Sequence, residues 1–185
     1  AGANTITTGQ GADSVTAGTG LDSISTGSAA DTISFATANL TLSDTGDGGS
    51  GTDILSMTNA STIIDTDFTN ISNVETLKQT TATHNMTATL GVNASNAGLT
   101  TVTNGNATNV ITLGAGMTTN LTINLGATGT DTVTATNYTK QVTVSADIDM
   151  LTSGDTLTGG AGTDILEITL DGTGDSALLA ADIAT

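Results

Sequence analysis

The chain has 185 residues and a formal net charge of −16, with 18 acidic residues against two basic ones, Lys78 and Lys140. This balance argues against nucleic acid as a partner, because phosphate binding needs clustered Lys or Arg, and it disfavours an anionic membrane surface. No stretch approaches the roughly 18 apolar residues of a spanning helix, and no cysteine is present to staple a thin core.

Acidic chains with few aromatics, here Phe35, Phe68 and Tyr138, are often disordered. Against that stand a hydrophobic content of 36%, no proline, and regularly spaced Ile, Val and Leu. Order that depends on a bound cation reconciles the two. The chain opens mid-pattern without Met or a signal peptide, so the expectation is a segment of a longer protein.

Residues 1–34 form a nine-residue repeat. Asn4, Asp13, Asp22 and Asp31 recur every ninth residue, and Ile6, Val15, Ile24 and Ile33 follow each by two. Each unit reads as a glycine-rich turn and a short strand, the glycines supplying positive φ. Two units make one coil of a parallel roll, which stacks Asp13 on Asp31 and Asn4 on Asp22, with the four aliphatic residues inward.

The register fails after Ser34. Phe35, Leu40 and Leu42 predict a strand, and Asp44 opens a degenerate unit in which Gly46 holds the apolar position. GGSGTDILS (Gly48 to Ser56) then satisfies the calcium nonapeptide G-G-x-G-x-D-x-U-x at every specified position. Phe68, Ile71, Val74 and Leu77 recur every third residue, which fits a compact turn feeding a strand.

Residues 78–150 are rich in Thr, Asn and Ala, with predicted strands beginning about every 10 to 12 residues between Gly, Asn or Asp turns. A continuous solenoid is favoured over a sandwich. GATGTDTVT (Gly126 to Thr134) is a partial nonapeptide, and NGNATNVIT (Asn104 to Thr112) is its amide analogue. Near the end Asp155 and Asp164 lie nine apart. GGAGTDILE (Gly159 to Glu167) is a second full match, and SALLAADI (Ser176 to Ile183) is the one predicted helix. The expected fold is all-β: a parallel β-roll or β-solenoid continuing as an irregular β-helix. It divides into 1–58, a Thr/Asn-rich segment 59–150, and a second repeat unit 151–185.

Stacked carboxylates about 5 Å apart repel by roughly 3 kcal/mol at an effective dielectric near 20. Calcium reverses this, taking six or more oxygens from carboxylates and backbone carbonyls. The candidate ligands in the array are Asn4, Asp13, Asp22 and Asp31 with the turn glycines Gly9, Gly11, Gly18, Gly20 and Gly27. Later units add Asp44, Asp47, Gly49, Gly51 and Asp53, then Asp131, Asp155, Gly160, Gly162 and Asp164. The expected cofactor is Ca2+, acting as structural glue and as a folding switch.

These residues resemble the RTX (repeats-in-toxin) calcium-binding family. More narrowly, GGSGTDIL followed by FTNISNVETL (Phe68 to Leu77) is similar to RTX-type bacterial surface-layer proteins and large surface adhesins. The resemblance implies type I secretion, folding triggered by calcium outside the cell, and assembly of copies into a lattice or filament. Cell-surface polysaccharide is a further candidate partner, and a spacer or ligand-binding module of an adhesin is the alternative reading.

No pattern for catalysis emerges. The single histidine, His84 in THNMT, lacks a nucleophile elbow and reads as an exposed turn residue. The pairs Asp65/Asp67 and Asp147/Asp149 read as solvated or calcium-facing. Glu75 and Glu167 receive no role. An ice-binding variant is disfavoured because no regular T-x-T or T-x-N array runs through successive rungs.

Overall fold

A computed structural model describes residues 2–81 and 83–170. The chain begins with β1 (Asn4–Gln10), β2 (Ser14–Thr16), β3 (Asp22–Ser28), β4 (Thr32–Phe35), β5 (Thr45–Asp47) and β6 (Ile54–Met57). There follow β7 (Ser61–Ile63), β8 (Ile71–Ser72), β9 (Thr76–Gln79), β10 (Met86–Leu90) and the helix α1 (Val92–Asn96). The remainder is β11 (Thr101–Thr103), β12 (Asn109–Leu113), β13 (Leu121–Asn124), β14 (Thr132–Thr134), β15 (Val142–Asp147), β16 (Thr156–Thr158) and β17 (Ile165–Thr169).

All the strand pairings described are parallel, between one coil and the next, so the chain is a β-solenoid. One sheet runs the whole length in the order β2-β4-β6-β9-β11-β13-β15-β17. The wall opposite changes identity part-way. Sheet β1-β3-β5-β8 serves the first coils, and sheet β7-β10-β12-β14-β16 serves the later ones. The short helix α1 lies between β10 and β11, the place β8 holds between β7 and β9, and it ends the first wall.

The core is a set of aliphatic columns. Val15, Ile33, Leu55, Leu77, Val102, Ile123 and Val144 stack along the long sheet, each directly over the last. Ile63, Ala88, Ile111, Val133 and Leu157 face them from the later wall. Branched side chains suit this because a β-strand sends alternate residues to opposite faces and fits stiff χ1 rotamers. Gly46, at an apolar position, sits between Ile24 and Ile71 in register. A Cβ there would stand 3.0 Å from the Ile71 side chain, so the neighbours already fill its space.

The nine-residue period sets the first coil as expected: Asn4 pairs with Asp22, and Ser14 with Thr32. Thereafter the coil lengthens. The separation is 18 residues from Asp13 to Asp31, 22 from Asp31 to Asp53, and 25 from Glu75 to Thr100. The strand predicted through Leu42 does not form. β4 stops at Phe35, Thr37–Asn39 makes a 3-10 turn, and Leu42 is 54% exposed. Local polar turn chemistry at this corner overrides the apolar spacing, and the inserted turn lengthens the coil.

Residues 65–79 behave as expected, with a 3-10 turn at Asp65–Phe68 feeding β8 and β9 and with Phe68, Ile71, Val74 and Leu77 all buried. Helix α1 has no counterpart among the sequence expectations. Its signal is non-local: Asp65, one coil earlier, accepts from Gly91 N (2.7 Å), Ala94 N (3.0 Å) and Asn93 N (3.1 Å). Those are the orphan donors of a helix N-terminus. The predicted helix at 176–183 lies outside the described residues.

The register also assembles what the linear pattern hides. On the outer face of the later wall, Thr62, Thr87, Val110, Thr132 and Thr156 form one column, and Thr89, Thr112, Thr134 and Thr158 form the next. Only three of these five strands carry T-x-T, since Val110 interrupts the first column and Ile64 follows Thr62, so the threonines cluster on this face without a regular T-x-T array through successive coils. The strands are separated by unequal loops, which removes any fixed period from the sequence.

Candidate cation-binding corners

The repeat aspartates lie where the chain turns from one wall into the next, and there every carboxylate but that of Asp13 fastens adjacent coils. The N–H of Asp13 donates to Asp31 Oδ1 (2.7 Å), that of Asp31 to Asp53 Oδ1 (2.7 Å), and that of Asp53 to Glu75 Oε2 (2.8 Å). At the opposite corner Asn4 N donates to Asp22 Oδ1 (3.2 Å) and Asp22 N to Asp44 Oδ1 (2.8 Å). A third column leads into the later wall, where Met86 N donates to Asn109 Oδ1 (3.1 Å), Asn109 N to Asp131 Oδ1 (2.9 Å), and Asp131 N to Asp155 Oδ1 (2.7 Å). Val142 N likewise donates to Asp164 Oδ1 (3.0 Å). Asparagine at position 109 fits this role because its oxygen accepts the same bond, whereas at position 4 the amide Nδ2 donates to Asp22 Oδ1.

The second oxygen of each carboxylate separates the columns. Asp22 Oδ2 accepts from Gly18 N (3.2 Å), and Asp44 Oδ2 from Thr41 N and Oγ1, both at 2.8 Å. Asp155 Oδ2 accepts from Thr152 N (2.6 Å), and Asp164 Oδ2 from Gly160 N (2.9 Å). These four carboxylates close their own turns. In contrast, Oδ2 of Asp13, Asp31 and Asp53 is buried without a hydrogen-bond partner. Asp31 and Asp53 are each 1% exposed. A buried carboxylate oxygen with no donor is costly, so this corner has unmet demand for positive charge.

Burial raises the Asp53 carboxyl above its usual range, and repulsion from Asp31, Glu75 and Asp47 adds to it, opposed by the bond from Asp31 N–H. Asp47 Oδ1 is held by Gly49 N (3.1 Å) and Asn73 Nδ2 (2.7 Å) at the same turn. Burial, reinforced by Asp155, pushes Asp131 up to about 6 against its two bonds from Asn109.

The turn glycines stack as columns. Gly9, Gly27 and Gly49 have φ of +117°, +99° and +87°, and a Cβ on Gly27 or Gly49 would overlap the carbonyl oxygen of the glycine one coil earlier. Gly11, Ala29 and Gly51 form the neighbouring column, with Ala29 held at φ +93°. Gly48, the first glycine of its nonapeptide, leaves open the space beside Asp53. A Cβ there would stand 2.7 Å from Asp53 Oδ2. Gly20 packs on Gly2, Gly160 on Tyr138 and Gly162 on Lys140, each too closely for a side chain, whereas Gly18 has open space.

Among the described residues, no group of three or more His, Cys, Asp or Glu side chains is arranged to hold a metal by itself. A cation in these turns would therefore need backbone oxygens as well. The oxygen-only donors and the orphaned Oδ2 atoms fit a hard cation at the Asp13–Asp31–Asp53 corner.

Two of the other acidic residues serve turns. Asp67 Oδ2 accepts from Ile64 N (2.9 Å), and Asp147 Oδ1 from Asp149 N (3.0 Å). His84 is half-buried in its turn rather than exposed, with Nδ1 enclosed and its N–H on Thr81 O (3.2 Å). Glu75, given no role from sequence, ends the corner column of carboxylates. Its signal was its place 22 residues after Asp53, which is legible only once the coil length is known. No family model matches the chain, and no curated protein or solved structure is significantly similar to it.

Proposed function

We propose that this chain is a calcium-dependent structural segment of a secreted bacterial surface layer or extracellular filament, assembling with copies of itself. The observation that carries the reading is the column of carboxylates at half-buried Asp13 and buried Asp31 and Asp53, each with an enclosed oxygen lacking a partner. Calcium supplies the charge and coordination those oxygens lack, and Asp13, Asp31 and Asp53 would hold it. With the net charge of −16, such ions also lower the self-repulsion that keeps copies apart. The nonapeptide resemblance supports placement outside the cell, where millimolar calcium suffices for modules of about 0.1 to 1 mM affinity. At calcium about tenfold above the dissociation constant, each site adds roughly 1.4 kcal/mol.

The test is far-UV circular dichroism and particle size, with electron microscopy, before and after excess chelator. Loss of strand signal and dispersal of assemblies is the expected result. An unchanged spectrum and unchanged size sink the proposal.

One observation favours a second reading, a ligand-binding module of a large RTX adhesin. The two columns of the threonine face carry no charged residue, although the chain is strongly acidic. Apart from Val110, their hydroxyls and methyls repeat at the strand spacing of about 4.8 Å, an array suited to ordered water at an ice surface. Monodisperse protein in saturating calcium that shows thermal hysteresis, lost on Thr112→Lys, supports this reading. Absence of hysteresis in the calcium-loaded protein removes it.

A further inference from the structure

The two acidic corners of the first coils look equivalent in sequence, since Asn4, Asp22 and Asp44 recur as regularly as Asp13, Asp31 and Asp53. Their hydrogen bonding is not equivalent. At the first corner both oxygens of Asp22 and of Asp44 already accept N–H or O–H donors: Asn4 and Gly18 for Asp22, and Asp22 and Thr41 for Asp44. At the second, the Oδ2 atoms of Asp13, Asp31 and Asp53 are enclosed and unpartnered, while Oδ1 of Asp31 and Asp53 fastens the coil before.

The second corner also continues past the repeats. Glu75 Oε2 takes the Asp53 N–H at 2.8 Å, replacing the aspartate that a further repeat would supply. In the coils beyond, the same position is held by Thr100, Leu121 and Val142, and a carboxylate returns to it only at Asp164 in the last described coil, so the continuous run of carboxylates ends at Glu75. Gly48 leaves space open against Asp53 Oδ2, and Asp47 stands at the same turn. The other full nonapeptide lacks this vacancy in its bonding, because Gly160 N–H occupies Asp164 Oδ2.

We propose that divalent cations load one corner of the solenoid only, between successive members of the column Asp13, Asp31, Asp53 and Glu75, with Glu75 a cation ligand that no nonapeptide contains. The Asn4–Asp22–Asp44 corner is a hydrogen-bonded seam that holds its coils together without metal. This rests on the calcium reading above and narrows it to named carboxylates. Repulsion among Asp31, Asp53, Glu75 and Asp47 acts in the same sense, favouring a cation among them.

Equilibrium dialysis and calorimetric titration with calcium chloride on the full chain test the proposal, comparing Glu75→Gln and Asp53→Asn with Asp22→Asn and Asp44→Asn. Each substitution keeps an oxygen for the inter-coil bond. Glu75→Gln and Asp53→Asn are expected to lose bound calcium or weaken it about tenfold or more, while the Asp22 and Asp44 variants keep the wild-type stoichiometry and affinity. Equal losses at Asp22 or Asp44, or an unaffected Glu75→Gln, overturn the one-sided arrangement but leave calcium binding intact. Wild-type protein that binds no calcium overturns the calcium reading itself.

A measurement on the unsubstituted chain guards against misfolded variants. Substoichiometric Mn2+ should broaden the amide resonances of Asp31, Asp53 and Glu75 more strongly than those of Asp22 and Asp44, which stand at the opposite corner. Equal broadening at both corners refutes the proposal.

Discussion

Replacing Asp131 by asparagine removes a buried charge while leaving an oxygen to accept from Asn109 N and Nδ2, both now at 2.9 Å. The residue is 3% exposed, and burial, with Asp155 adding repulsion, raises its carboxyl from 3.8 to about 6. A carboxyl raised on folding binds more protons in the folded than in the unfolded state between those two values. Stability therefore falls as pH rises through that window and stays low above it. A shift of this size corresponds to a ceiling of about 3 kcal/mol at 1.36 kcal/mol per unit, and solvent relaxation reduces it to roughly 1–2 kcal/mol. Urea unfolding followed by circular dichroism, at fixed saturating calcium, should find the two proteins nearly equal at pH 4. At pH 7.5 the Asp131→Asn protein should be the more stable by that amount. A variant that is less stable at pH 7.5 than wild type refutes the reasoning, and it is the result expected if a cation neutralises Asp131.

Five further substitutions probe the scaffold. Gly27→Ala should cost at least about 1–2 kcal/mol, because φ is +99° and its Cβ overlaps Gly9 O, whereas Gly18→Ala should fall within about 0.5 kcal/mol; thermal melts compare them. Ile123→Ala, between Val102 and Val144 in the core column, should cost about 2–5 kcal/mol. Hydrogen exchange should rise most in β11, β13 and β15, since each coil contacts only its neighbours. Asp65→Ala strips the cap from α1 and should cost about 0.5–2 kcal/mol, with faster exchange at Asn93 and Ala94. Asn104→Leu should stabilise by roughly 1–3 kcal/mol, because both amide atoms are buried without partners; a lower melting temperature would mean that the amide is satisfied by ordered water.

Much of the solenoid could be read in the sequence because its cause is local. A glycine turn, a carboxylate or amide at the corner and a branched residue two positions later predict one strand and one inward side chain each. That is why Val15, Ile24 and Ile33 and the Asp13-on-Asp31 stacking are found where expected, and why the strands of residues 78–150 could be spaced from their turns. Only the tertiary structure decided what depends on the closure of a coil. Coil lengths of 18 to 25 residues obey no fixed period, so the threonine columns, the role of Glu75 and the capping of α1 by Asp65 have no linear signature. The division between structural and cation-seeking aspartates is also tertiary. It turns on whether a nearby N–H, such as that of Gly18 or Thr41, reaches the second carboxylate oxygen, and the path of the turn backbone determines this for residues of identical type and spacing.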